Sequence, residues 1–337
     1  MTAPAPDPIR VVLDAGQLPA HEVSQLLGGT GFGVVAPAVF DITGLGAVTS
    51  VQGLVTNDIE KPGDAACVYA ALLTPKGMIR TDVWVLRDAG RVRLAAPPEG
   101  HAVLSEVLTR SLPPRLARFT DRTDVVTLYR LVGPKALDAA AAAGLPVPEA
   151  GRVATSGDEV SAVVVARPPA GPAPFALDVY MEHAGADFPD ALELAGMPRL
   201  GAAVLDLGRI LAGWPRLGAE IDDRTLPQEV RLDEIGGVSY TKGCYTGQET
   251  VARLHFRGHS NRGLVGLAWE DPPDPSQSHV LQDDKPLGLV TSIAQLSSHN
   301  AWVGLAKVRR ELDRDRPVTA AGARAEVVRL PMRFLGG

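Results

Sequence analysis

The feature that most constrains this chain is a change in its apolar patterning near Arg262. Beyond that point only short strand-like segments remain, at 264–269, 288–294, 302–308 and 325–330, with a loop at Asp271-Pro272-Pro273-Asp274. Before it, strand-like and helix-like segments alternate. A strand over 66–73 runs into a turn at Thr74-Pro75-Lys76-Gly77, and a second strand covers 79–86. A short loop at Asp88-Ala89-Gly90 precedes a return strand over 92–95, and a helix over 100–111 is stopped by Pro113-Pro114. The order then repeats in outline: a strand over 125–132, a helix over 134–143, strands at 160–166 and 175–180, and helices at 189–196 and 201–212. A sheet hairpin with helices on one face, occurring twice, defines an α+β fold with antiparallel sheets. The strand-only remainder is expected to close into a small β-barrel or sandwich. The expected division is a two-lobed region over 9–260, whose lobes can interleave in sequence, and a barrel over 261–337. A helix from Thr49 is expected to stop at Thr56-Asn57-Asp58, and residues 1–8, with three prolines, to be loosely attached.

Composition excludes several classes. With 33 basic against 39 acidic residues the net charge is −6, which argues against a broad nucleic-acid surface. Direct nucleic-acid binding is therefore not expected. The two cysteines, Cys67 and Cys244, stand far apart without a C-x-x-C spacing, so neither a disulfide framework nor a structural zinc site is expected. Cys67 lies in an apolar strand and reads as core. The N-terminus lacks the plan of a signal peptide, and no apolar run is long enough to span a bilayer. The expectation is a soluble, cytoplasmic, monomeric protein.

The chemistry concentrates at Lys242-Gly243-Cys244-Tyr245-Thr246-Gly247-Gln248-Glu249, followed by Arg253, His255, Arg257 and His259. A thiol acts as a nucleophile only as the thiolate, which nearby positive charge favours. Lys242 and Arg253 are expected to supply that charge, with Tyr245 shielding one side. The competing reading makes Cys244 a small buried hydrophobe, as most free cysteines are. The polar and glycine-rich neighbours favour the first. His255 and His259 are four apart, but Gly258 intervenes and the segment alternates like a strand leading into a turn, so no metal is expected there.

These residues, with Leu226-Pro227-Gln228-Glu229, Leu232-Asp233, Gly236-Gly237-Val238-Ser239-Tyr240, Gln52 to Ile59 and Thr74 to Ile79, resemble the signature of the YgfZ family. Those are folate-binding proteins related to the aminomethyltransferase (T-protein) of the glycine cleavage system. The resemblance implies two α+β lobes enclosing a folate channel, capped by a C-terminal β-barrel. It implies tetrahydrofolate or a derivative as cofactor, and iron–sulfur client or assembly proteins, including those that modify tRNA, as partners. A competing activity is a tetrahydrofolate-dependent aminomethyltransferase or demethylase.

Residue by residue, the resemblance makes Cys244 the reactive thiol and Asp82 the remaining member of an acidic pair on the corresponding T-protein strand. By alternation alone Asp82 could equally be an outward-facing strand residue. Asn57 and Asp58 terminate a helix or contact the pterin; Gln228 and Glu229 cap the next element or read the pterin edge. Where the family and the T-proteins carry Glu-Ala-Gly, this chain has Leu211-Ala212-Gly213, followed by Trp214. Losing that carboxylate removes a charge-assisted bond of about 1.5–3 kcal/mol, for which Trp214 could compensate by stacking.

Overall fold

The computed structural model describes residues 18–88, 90–157, 162–182, 187–296 and 301–332. Residues 1–8, Ala89 of the expected hairpin loop and the first two positions of the strand expected at 160–166 lie outside the described residues. Helix α1 (Ala20–Gly28) leads into β1 (Gly31–Val35) and β2 (Ala38–Thr43); α2 (Ala47–Gln52) precedes the meander β3 (Cys67–Leu73), β4 (Ile79–Asp88) and β5 (Arg91–Ala96). Then come α3 (His101–Ser111), β6 (Arg118–Asp121), β7 (Val126–Val132), α4 (Ala136–Ala142), β8 (Val153–Ser156), β9 (Val163–Ala166) and β10 (Leu177–Glu182). Two helices, α5 (Asp187–Leu194) and α6 (Ala202–Ala212), close the body, and α7 (Gln248–Arg257) leads to the last unit. Its strands are β11 (Arg262–Trp269), β12 (His279–Gln282), β13 (Lys285–Leu296), β14 (Ala301–Arg309), β15 (Val318–Ala320) and β16 (Ala323–Val328).

These strands build two five-stranded antiparallel sheets, ordered β3-β4-β5-β2-β6 and β1-β7-β10-β9-β8, and a closed barrel ordered β11-β14-β13-β12-β15-β16. The sheets interleave in the chain. β1 precedes the whole first sheet, yet pairs with β7 of the second, Gly31 opposite Val132. β3 is buried at every position because both its faces are covered. Its Val68, Ala70 and Leu72 pack with Leu104 and Leu108 of α3. Its Cys67, Tyr69, Ala71 and Leu73 instead enter the core between the lobes, with Leu128, Val132 and Tyr180 of the other sheet. Arg93 of β5 crosses that interface, donating to Asp41 at 2.7 Å and to Glu182 of β10 at 2.9 Å.

The barrel shares the interlobe core through Leu264, Leu296 and Leu305 and meets the body at a fully buried carboxylate. Glu220 Oε2 accepts from the Arg209 guanidinium of α6 at 2.9 Å and from the Arg216 amide at 3.0 Å. Its Oε1 accepts from the hydroxyls of Ser292 at 2.6 Å and Thr291 at 2.8 Å. Neighbouring strand residues normally face opposite ways, but the β13 register shifts between Val290 and Ser292, and such a bulge re-aims a side chain. That is how two consecutive hydroxyls meet one carboxylate. Among the described residues no helix is long and apolar enough to cross a membrane.

The structure corrects two expected elements. α2 ends at Gln52 instead of running to Asn57, because the backbone of 53–57 turns to present its carbonyls to Lys242. The segment expected to alternate like a strand is α7, which runs through Arg257. Val251 is its one buried residue, and His255, four further on, stacks on Tyr240 from an exposed position, a helical spacing.

Candidate functional site

The segments singled out in the sequence come together around Lys242. Its ammonium is buried and donates to three backbone carbonyls, those of Gln52 at 2.6 Å, Val55 at 2.7 Å and Asn57 at 2.8 Å. All three of its protons therefore have acceptors. Burial pushes the ammonium down to about 8, against the opposing pull of the Asp58 and Glu60 charges. The Tyr245 ring lies 5.2 Å from Nζ, and burial pushes its phenol up to about 12.

Thr56 and Asn57 sew the same loop to 236–239. The Thr56 hydroxyl donates to Gly237 O at 2.6 Å, and the Ser239 amide to Thr56 O at 3.0 Å. The Asn57 amide donates to Tyr69 O and Gly236 O at 2.9 and 2.7 Å, and its Oδ1 accepts from the Asp58 amide. Asn57 is thus not a helix terminator but a bridge between three segments. Gly247, at φ 82°, packs so closely on the 74–77 turn that a Cβ would lie 2.5 Å from Thr74 O; Gly77 meets Thr250 of α7 in return. Both positions require glycine, for conformation and for approach.

This frame holds Cys244 exposed, whereas Cys67 is buried and burial pushes its thiol well up. Lys242 is committed to the carbonyls, Tyr245 belongs to the core, and Arg253, Glu249 and Gly243 are exposed. The expected Lys242 support of a thiolate is replaced by a structural clamp two residues away. Glu229 is a cap: its carboxylate accepts from the Leu226 amide at 3.1 Å at the start of the turn Pro227–Val230. Gln228 donates to Val251 O at 3.0 Å and Tyr240 OH at 3.3 Å, but its Oε1 is buried without a partner. Gln248 opens α7, His255 stacks on Tyr240 at 3.6 Å, and His259 lies past the helix end.

A second centre lies between the lobes. Asp82 is buried, which overturns its reading as an outward-facing strand residue: with Trp84 and Leu86 it lies on the β4 face that meets the interlobe core. Its Oδ2 accepts from the Tyr69 hydroxyl at 3.0 Å, and its Oδ1 is buried with no hydrogen-bond partner among the described residues. Burial pushes the carboxyl up to about 6, against the opposing pull of the Tyr69 hydroxyl and the Arg130 charge. The walls are aromatic. Trp214 stands 4.5 Å from the Tyr69 ring and stacks near-parallel on Trp84 at 5.8 Å, and Trp84 meets Phe175 edge-on at 5.1 Å. Arg130, paired with Asp178 at 2.7 Å, lies 4.2 Å over Phe175. Tyr69, Trp84, Phe175 and Arg130 were not singled out in the sequence. The available signal was parity: Trp84 is two residues from Asp82 on one strand, so they share a face. Leu211 packs at the edge of this core, and its carbonyl accepts from Met332 at 2.7 Å.

With this geometry, the comparisons with known proteins give first a fold. The structure superposes on the crystal structure of the glycine cleavage system aminomethyltransferase T from Bartonella henselae with a TM-score of 0.76, covering 93% of this chain and 88% of that one at 19% identity. Residues 32–145 match the family model of the GCVT N-terminal domain. The chain has the aminomethyltransferase fold. It is also similar to proteins named tRNA-modifying protein YgfZ: 37% identical over 83 residues to that of Hamiltonella defensa, and 40% over 87 residues to that of Vibrio vulnificus strain YJ016. These matches span 23% and 26% of this chain and 25% and 27% of the relatives, about a quarter of their length. Fold, family model and named relatives together bear out the resemblance to the YgfZ family.

Proposed function

We propose that this chain is a folate-binding protein serving the assembly, maintenance or repair of iron–sulfur proteins, those that modify tRNA among them, through the thiol of Cys244. The observation that carries the reading is the Lys242 clamp: it gathers the family-like segments into one frame that presents Cys244 to solvent. The Cys244 thiolate would attack a sulfur of a partner's disulfide or persulfide, forming one S–S bond and releasing the other sulfur as thiolate. Two free cysteines fit a reducing, cytoplasmic setting.

The interlobe centre fits a reduced folate. A flat heteroaromatic ring with N–H donors matches the Trp84, Trp214 and Tyr69 walls and supplies the donor that Asp82 Oδ1 lacks. Tetrahydrofolate, when bound, supplies the capacity to carry a one-carbon unit. Asp82 would orient it by accepting a hydrogen bond, and the rings would exclude water. The Asn57 amide is already committed to backbone partners, so its contribution is to shape the loop. Reduced folate is expected to raise the melting temperature in proportion to occupancy, and Leu211→Glu to strengthen the effect. No shift at millimolar folate in either protein removes folate from the account.

A second reading, a tetrahydrofolate-dependent aminomethyltransferase or demethylase, is favoured by Asp82 itself, a buried carboxyl poised at about 6 where proton transfer is effective near neutrality. Rescue of iron–sulfur enzyme activity in cells lacking the gene separates the two. The thiol reading expects Cys244→Ala to lose rescue with fold and folate binding intact, and Asp82→Asn to lose little. A folded but inactive Asp82→Asn beside a fully active Cys244→Ala transfers the function to the carboxylate.

A further inference from the structure

Two leucines stand out on the surface of the first sheet's lobe. Leu45, between β2 and α2, is 103% exposed, and Leu116, between α3 and β6, is 52% exposed. They are neighbours, because the Gly46 amide donates to Leu116 O at 2.9 Å. The turn that carries Leu45 is fixed. Gly44 sits at φ 114°, where a Cβ would lie 2.4 Å from Leu116 O, and a Cβ on Gly46 would lie 2.8 Å from that of Leu116. The Ala47 amide closes the turn onto Gly44 O at 3.1 Å. A leucine fully in water on a backbone this constrained is held out, in contrast to a side chain on a loose loop that could fold back.

The two segments that carry the leucines have one sign. Pro113, Pro114, Arg115 and Arg118 are exposed beside Leu116, and neither arginine is in an ion pair among the described residues. Segments 43–46 and 113–118 contain no carboxylate, in a chain whose net charge is −6. β6, which follows, is the edge strand of its sheet. Exposed apolar residues held close together by the backbone and rimmed by charge mark an interaction site more often than scattered ones do.

We propose that the Leu45–Leu116 patch docks a segment of another protein that carries apolar side chains flanked by aspartate or glutamate. The leucines supply the apolar centre, and Arg115 and Arg118 select the acidic flanks. A second copy of this chain is disfavoured, because a two-fold contact would bring the like-charged arginines of both copies together. A lipid surface is disfavoured too: two leucines on a turn lack the apolar helix face and aromatic anchors of interfacial segments. The surface goes beyond the reading of Cys244 and does not rest on it. α2, of six residues and so about 9 Å long, joins the patch to the Gln52 carbonyl held by Lys242.

The test uses the full chain and a phage-displayed library of random peptides, with counter-selection on Leu45→Asp. The expected result is enrichment of apolar peptides flanked by acids. By fluorescence anisotropy their affinity should fall about tenfold or more in Leu45→Asp and in Leu116→Asp. It should also fall in the double variant Arg115→Glu, Arg118→Glu, and stay unchanged in Leu194→Asp, a control at another exposed leucine. Melting curves matching the parent confirm that the variants fold, as expected for exposed positions. The proposal is overturned if no peptides enrich, or if they lack acidic residues or bind Leu45→Asp equally well. Leu45-dependent self-association in sedimentation, or Leu45-dependent binding to phosphatidylglycerol vesicles, overturns it in favour of a second copy or a membrane.

Discussion

At Lys242 every proton of a buried ammonium has an acceptor, whereas at Asp82 one oxygen of a buried carboxyl has Tyr69 and the other has no partner among the described residues. Both groups are removed from water, so both bear a desolvation cost. The clamp recovers it within the protein, as frames do. At Asp82 part of it stays unrecovered among the described residues. The difference separates a group whose hydrogen bonds are complete from one whose bonds are not, although the sequence motif points most strongly at the first.

The largest expected effect attacks the clamp. Lys242→Met leaves three carbonyls short of a donor, that of Val55 buried and those of Gln52 and Asn57 partly buried, each costing on the order of 1–3 kcal/mol, so a loss of about 4 kcal/mol is expected in urea unfolding. A loss below about 1 kcal/mol would show that water can take over the ammonium's part and would erase the contrast.

The opposite sign is expected at Asp82. Its folded-state value, about 6, lies above the ordinary 3.8 because of burial, so the folded chain holds that proton more tightly than the unfolded one. The favourable contribution is complete below about pH 4 and is lost as pH rises through 6. Two pKa units correspond to about 3 kcal/mol, so Asp82→Asn should stabilise by up to that amount at pH 7.5 and by almost nothing near pH 4. A variant that destabilises equally at both pH values would place the carboxylate among the structural groups.

The smallest effect is expected at the thiol. Cys244→Ser should change stability by no more than about 0.5 kcal/mol, as at other exposed positions. In the native protein iodoacetamide should label Cys244 alone, with Cys67 reacting only on unfolding. Equal, slow labelling of both would return Cys244 to the interior.

Local chemistry was legible in the sequence. The Thr74-Pro75-Lys76-Gly77 turn, the meander around it and the strand-only tail follow from period-two patterning and turn residues. The Cys244 motif was legible because a core segment does not combine a cysteine with so many polar residues and glycines. What escaped depended on distance along the chain. Lys242 looked like a partner for the adjacent thiol because its acceptors lie up to 190 residues upstream. β1 does not read as a strand in the sequence because its hydrogen bonds wait for β7, and alternation could not tell whether the Asp82 face of β4 met water or a second sheet. Leu211 was noticed only against the family pattern; its place beside Met332 needed the fold.

The pairing of β1 with β7 also fixes an order of events during synthesis. Gly31–Val35 leaves the ribosome before any residue of the first sheet, but its partner is made only after that sheet is complete. The first lobe can therefore collapse as an insertion while β1 stays unpaired, and the second lobe is zipped around it afterwards. Closing so long a loop is inexpensive once its contents are already compact, because the effective loop is then short. Variants that weaken the first sheet should consequently slow the second lobe as well, whereas weakening β8 or β9 should leave the first lobe's folding rate unchanged.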